Sequence, residues 1–293
     1  MNNDNCSALV TGANSGLGKA VAAALAAEGM RVGIVARDAA RGEAACEEIR
    51  QQTGNPRVQL YVADLASQSD VRALAAAVLK DFEQLQLLIN NAGTAFPQRR
   101  LSPEGIECAL AVNHLAPFLL TSLLLERLKR SAPARIINVG TRMDTAMDFS
   151  DLNWERRRYS MMKAYGQSKL GMLHSTVELA RRLEGTGVTV NCVFPGVFKS
   201  NLGGTDGAQG LFWKAIALFL GWALPKPEQA ARRVLRAARD PELADMNGRY
   251  FDGQKPLKLP QQVRDLEANR RAWQLSEAMT GLVSGQQPPA KPR

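Results

Sequence analysis

Ala8-Leu9-Val10-Thr11-Gly12-Ala13-Asn14-Ser15-Gly16-Leu17-Gly18 is the stretch that decides the fold of this chain. Ala8 to Thr11 is a short apolar run that reads as a buried strand, and the Ala-rich segment from the glycines to about Gly29 reads as a helix. A strand, a glycine-rich turn and a helix in that order make a phosphate site. Glycine lets the backbone approach an anion closely, and the helix N-terminus offers unpaired N–H groups at the positive end of its dipole. Gly12, Asn14, Ser15, Gly16, Leu17 and Gly18 are the candidate contacts. The alternative is a tight turn with no ligand.

Working outward, a second strand is expected over Arg31 to Ala36, running into Arg37-Asp38. Dinucleotide sites for NAD place an acid at the end of this strand to hold the ribose 2′-hydroxyl. Here the position carries neutral Ala36 with Arg37 next, and a guanidinium suits a 2′-phosphate that an acid would repel. NADP(H) is therefore favoured. Asp38 dissents unless it caps the helix beginning near Ala39. A third strand, Val58 to Ala63, ends at Asp64-Leu65, where the carboxylate can accept from an adenine amino group or cap the next helix, Asp70 to Phe82; Ser67 or Ser69 could cap it as well. A fourth, Leu87 to Asn90, runs into Asn91-Ala92-Gly93. Strands alternating with helical patterns predict an α/β fold with a parallel, doubly wound sheet and ligands at the strands' C-terminal ends.

Further along, Tyr165-Gly166-Gln167-Ser168-Lys169 places a phenol and an ammonium on one helix face, a turn apart. A fixed ammonium stabilises phenolate and draws the phenol towards the working pH, where it can pass a proton to or from a carbonyl or alcohol oxygen. Taken alone, the spacing also fits an inert surface pair.

Composition sets the bounds. The chain has 293 residues, 45% hydrophobic and 22% charged, enough for one large α/β domain. No basic-then-apolar signal segment opens it and no run of about 18 apolar residues occurs, so a cytoplasmic protein without a spanning helix is expected. Cys6, Cys46, Cys108 and Cys192 show neither metal-ligand spacing nor a disulfide framework, so no metal is expected. The net charge of +9 comes with no nucleic-acid motif. It reads as solvated surface or as preference for a phosphate-bearing ligand.

Thr11-Gly12-x-x-x-Gly16-x-Gly18, Asn90-Asn91-Ala92-Gly93, Asn113, Tyr165-x-x-x-Lys169 and Pro195-Gly196 together resemble the short-chain dehydrogenase/reductase family over roughly residues 6–255. Glu104 to Glu107, Val112 to Thr121 and Arg135 to Val139 are similar to its retinol dehydrogenase-like branch. The resemblance implies a single Rossmann-type domain over residues 1–255, with a mostly seven-stranded parallel sheet flanked by helices. Residues 256–293 then supply one charged helix and a disordered tail. It implies that Tyr165 is the general acid/base and that Lys169 lowers its pKa and binds the nicotinamide ribose. Asn113 would hold a relay water, or kink its helix, or both. His114 is read as structural. Gly93, Pro195, Gly196, Phe198 and Ser200 would line the coenzyme, and the helix after Tyr165, running to about Leu183, would pack against a partner subunit in a homodimer or tetramer. Residues 201–227, rich in Leu, Phe and Trp, would form a substrate lid that suits a lipophilic small molecule or contact with a membrane surface, unless it is a plain dimer or core contact.

The chain departs from the family pattern at Asn138-Val139-Gly140-Thr141-Arg142. Gly140 replaces the first of the usual two serines, and Thr141 replaces the second, which polarises the substrate oxygen. Threonine keeps a hydroxyl donor but adds bulk and stiffens χ1. A segment from Asp144 to Met162, with Trp154 and Arg156-Arg157-Arg158-Tyr159, is expected near the mouth of the site. Its arginines are either a solvated face or an anionic handle for a carboxylate, coenzyme A or a carrier-protein tether. The leading expectation is an NADP(H)-dependent oxidoreductase. Redox-neutral chemistry (dehydratase, isomerase or cyclase) prompted by Gly140-Thr141, or a non-catalytic NADP(H) sensor, are the alternatives. A soluble enzyme of secondary metabolism is the biological setting that fits.

Overall fold

The computed structural model describes residues 6–142, 145–198, 225–253 and 255–282. Seven strands, all parallel, form one sheet in the order β3-β2-β1-β4-β5-β6-β7. They are β1 Ser7–Thr11, β2 Arg31–Ala36, β3 Val58–Val62, β4 Leu87–Asn90, β5 Ala134–Val139, β6 Val188–Val193 and β7 Tyr250–Phe251. Seven main helices accompany them among the described residues: α1 Gly16–Ala27, α2 Ala39–Thr53, α3 Gln68–Asp81, α4 Cys108–Arg130, α5 Met161–Arg182, α6 Pro227–Arg239 and α7 Leu266–Thr280.

Strand side chains alternate between two buried faces. Ala8, Val10, Ile34 and Ile137 pack with Val21, Leu25, Ile49 and Val234 on the α1, α2 and α6 side. Leu9, Leu88, Ile136 and Val190 pack with Leu74, Val78, Leu119, Leu124 and Leu179 on the α3, α4 and α5 side. Covering on both faces is why these strands read as continuous apolar runs.

Helix starts follow local capping chemistry. Asp38 accepts from Arg41 N at 2.8 Å and caps α2, so its carboxylate is turned to the helix. Ser67, not Asp64, caps α3 by accepting from Asp70 N, which begins the helix at Gln68 rather than Asp70. A side-chain N-cap of this kind is worth about 1 kcal/mol.

The stretch Cys108–Arg130 has the length and mean hydropathy of a membrane span, although it holds no unbroken run of 18 apolar residues, and 78% of its apolar window is buried within the fold. It is the core helix that carries Leu115, Leu119, Leu120, Leu124 and Leu128. Against α5 packs α7 of the same chain, where His174 Nδ1 meets Asn269 Oδ1 at 2.6 Å and Trp273 joins the core.

Parallel pairing places the strand ends together. The end of β1 lies beside β2, the end of β2 beside β3, and β4, β5 and β6 finish in register through Asn90–Asn138 and Val139–Val193. One edge of the sheet therefore presents Gly12, Arg37, Asp64, Asn91, Gly140 and Phe194 as the residues or turns that follow, with the sheet's reversal between β1 and β4 at its middle. Open α/β sheets bind ligands at this kind of crevice.

Candidate active site

At the reversal the two central turns are sewn to each other. Thr11 Oγ1 accepts from Asn91 N at 3.0 Å and Ala92 N at 3.1 Å, while Asn91 Nδ2 donates to Thr11 O at 2.8 Å and Gly12 O at 3.1 Å. A Cβ on Gly18 would lie 2.4 Å from both Gly12 O and Asn91 Nδ2, so only glycine lets α1 sit this close to the strands. A Cβ on Gly16, by contrast, would meet nothing within 4 Å. Ser15 precedes α1 but makes no side-chain cap bond, and no acid occupies the helix's first turn. Open space in front of first-turn N–H groups that no side chain caps fits an anion. The residues present thus fit the phosphates of a dinucleotide.

The expected coenzyme contacts divide by what their side chains are free to do. Gly12, Asn14, Ser15 and Gly16 are at least partly exposed. The Leu17 side chain is buried in the core, so that residue has only its backbone to offer. Arg37 is exposed at the end of β2. Asp64 Oδ1 accepts from Ala66 N at 2.9 Å, and Leu65 is half-buried against the second core. The Asn91 side chain is committed to the β1 turn. Gly93 lies against Lys169, whose Nζ would be 3.3 Å from a Cβ there. Pro195 is buried, Gly196 is left-handed and Phe198 packs on the first core. Ser200, residues 201–224 of the lid expected over 201–227, and the expected C-terminal tail lie outside the described residues.

Around Tyr165 the four expected catalytic residues converge. Thr141 lies close enough to the phenol to favour the phenolate, yet burial is the larger effect and raises the Tyr165 pKa above its ordinary value. The Lys169 ammonium donates to Val139 O at 2.8 Å and is itself pushed down to about 8 by burial, partly offset by Cys192.

Asn113 lies in a π-helical turn, Ala111–Leu115, within α4. Its Oδ1 accepts from Thr94 N at 2.7 Å, and its Nδ2 donates to Thr94 O at 2.8 Å and Ser168 Oγ at 2.9 Å. With both amide hydrogens committed, the side chain has no donor left for a relay water.

The departure at Gly140 has a packing cause. A Cβ there would lie 2.5 Å from Cys192 Sγ. Burial pushes that thiol up to about 12, so it is a neutral space-filler. Tyr250 OH donates to Thr141 O at 2.7 Å and fixes the loop from the far strand. Sequence reasoning missed Cys192, Tyr250 and Ser168 as supports of the site. Ser168, between Tyr165 and Lys169, was the one with a signal.

The segment before α5 is anchored, not loose. Arg157 lies 3.8 Å over the Trp154 ring, pairs with Asp151 at 3.2 Å and donates to Gln167 Oε1 at 2.6 Å. Tyr159 OH reaches Glu107 Oε1 at 3.1 Å, and Arg99 Nε donates to Asn153 O at 2.7 Å. Arg156 bonds Ser150 O, which leaves Arg158 as the exposed arginine of the run without a hydrogen bond among the described residues.

His114 is structural, as expected. Its Nε2 meets Ser276 Oγ at 2.7 Å, and burial pushes its pKa down to about 3. It stays neutral in the fold and takes up a proton near its ordinary pKa of about 6.5 once unfolded. The unfolded chain binds more protons between those values, so stability falls as the pH drops from about 6.5 towards 3. Urea midpoints measured over that window are expected to fall with pH, and less steeply in His114→Gln than in the parent protein.

A family model described as short chain dehydrogenase matches residues 7–209. Human retinol dehydrogenase 13 is 43% identical over 278 residues, covering 94% of this chain and 84% of that protein. An uncharacterized protein from Mycobacterium paratuberculosis superposes with a TM-score of 0.75 at 31% identity, over 94% of this chain and 93% of that one. A short chain dehydrogenase from Burkholderia cenocepacia, solved in complex with NADP, has a TM-score of 0.64 at 28% identity, over 86% of this chain and 96% of that one.

Proposed function

This chain belongs to the short-chain dehydrogenase/reductase family, and on that premise we propose that it is an NADP(H)-dependent oxidoreductase acting on a carbonyl or alcohol of a lipophilic small molecule. The observation that carries the reading is the open, uncapped glycine turn at the sheet's reversal, with the Lys169 ammonium beside Gly93 on the same sheet edge and Tyr165 one turn before it on α5.

Bound across that edge, a reduced nicotinamide supplies the hydride. The protein's own residues do the rest. The Gly12–Gly18 turn holds phosphate through first-turn N–H groups. Arg37 takes the 2′-phosphate, since Asp38 has turned its carboxylate to its own helix. Lys169 has one ammonium hydrogen on Val139 O and two left for ribose hydroxyls. Thr141 orients the substrate oxygen beside the phenol. Tyr165, kept protonated at neutral pH by burial, is set to donate its proton in the reducing direction. Binding of NADP by a similar structure favours the phosphorylated coenzyme.

Exposed Met162 (50%), one turn before Tyr165, and Val197 (70%), beside Gly196, favour a lipophilic substrate. An anionic handle, if the substrate has one, falls to Arg158. The buried thiols of Cys46, Cys108 and Cys192, none of them in a disulfide, accord with work in the cytoplasm. Packing against Cys192 accounts for Gly140 and so removes half of the motive for the redox-neutral reading; Thr141 keeps the other half.

The test follows absorbance at 340 nm with NADPH or NADH across medium- and long-chain aldehydes, ketones and all-trans-retinal. NADPH is expected to outperform NADH by at least about tenfold in kcat/KM, roughly one strong charged contact. Preference for NADH would sink the coenzyme assignment. Product formed without loss of absorbance would move the reaction to the redox-neutral class.

A further inference from the structure

Arg233, on α6, lies far in sequence from every coenzyme motif, yet its side chain ends at the Pro195–Gly196 turn. Nη1 points to Pro195 O at 3.5 Å. A Cβ on Gly196 would come within 2.4 Å of Nη1 and 3.2 Å of Cζ. At its root the same side chain is confined again, because a Cβ on Gly253 would lie 2.1 Å from Arg233 Cβ and 2.9 Å from its Cα. Both glycines are left-handed, with φ of 90° and 86°. The arginine thus passes between two turns, one after β6 and one after β7, each of which has given up a side chain where the arginine runs.

A plain surface arginine keeps its rotamer freedom, which is among the largest of any side chain. This one has surrendered it before any ligand binds. The single bond to Pro195 is long, so the seat is not explained by a strong contact to the protein. What the seat does is fix the turn between β6 and the residues that follow it. That turn is where the proposed function puts the nicotinamide half of the coenzyme.

We propose that Arg233 is a positioning residue for the nicotinamide half of the dinucleotide, holding the Pro195–Gly196 turn in place through the channel left by Gly196 and Gly253. This rests on the proposed NADP(H) reading and adds a residue to it. Arg232 and Arg236 flank it on an open cleft but make no such contact with the turn; Arg236 is taken by Asp240 at 3.0 Å.

The experiment compares binding of NADPH with binding of 2′,5′-ADP, which carries the adenosine half alone. In Arg233→Met the Kd for NADPH is expected to rise about tenfold and kcat to fall, with the Kd for 2′,5′-ADP unchanged. Gly253→Ala, which displaces the side chain at its root, is expected to show the same split. Arg233→Lys is expected to recover part of the loss, and Arg232→Ser is expected to show none. Equal weakening of both ligands in Arg233→Met would mark a general structural role and overturn the proposal. So would an unchanged NADPH Kd and kcat. Failure of the parent protein to bind either ligand would instead strike the NADP(H) reading itself.

Discussion

Tyr165→Phe is expected to lower kcat by about 10²- to 10⁴-fold, the usual worth of a positioned proton donor, while the Kd for NADPH stays within about twofold. Phenylalanine keeps the ring's packing on α5 and removes only the hydroxyl that lies close to Thr141. Loss in kcat without loss of coenzyme affinity is the signature of a group used in the transition state. The phenol's pKa lies above its ordinary value. Carbonyl reduction, which needs the protonated form, should therefore hold its rate through neutral pH, and oxidation should rise towards alkaline pH. Stopped-flow single turnovers at 340 nm separate chemistry from coenzyme release. Undiminished turnover in the variant would remove Tyr165 from the mechanism.

Gly140→Ser, which restores the family's usual residue, is expected to destabilise this protein by about 1–3 kcal/mol through overpacking. The new Cβ would lie 2.5 Å from Cys192 Sγ, itself fully enclosed in β6. Because Thr141 follows directly, the strain should also displace the hydroxyl that lies close to Tyr165 and depress kcat. Cys192→Ala should cost stability alone by leaving a void, yet should relieve the serine when the two are combined. Thermal melts of the four proteins in a double-mutant cycle measure that coupling. Simple additivity would show that sulfur and serine do not compete for one space.

How far the sequence could be read follows from where its signals were local. Strand–turn–helix order, the apolar runs of β1, β2 and β4 and the Asp38 cap are local, and they came through to within a residue or two. Side chains acting across the sheet are not local. Nothing in the run Thr189-Val190-Asn191-Cys192-Val193 says that its sulfur fills the place of a serine on β5. Nothing near Tyr250 says that its hydroxyl pins the Thr141 carbonyl. Lys169 illustrates the same limit in the opposite sense. Helical spacing correctly put it a turn from Tyr165, but could not show that a backbone carbonyl on β5 takes the ammonium's hydrogen. Arg157 was legible only as part of a basic run, whereas Asp151, Trp154 and Gln167 make it a rivet.

The helix over Leu266–Thr280 also bears on the reaction centre. It lies over α5, with Asn269 and Ser276 engaging buried imidazoles from two different helices. The wall behind the phenol is thus furnished by the same chain, so the support drawn from it does not vary with protein concentration.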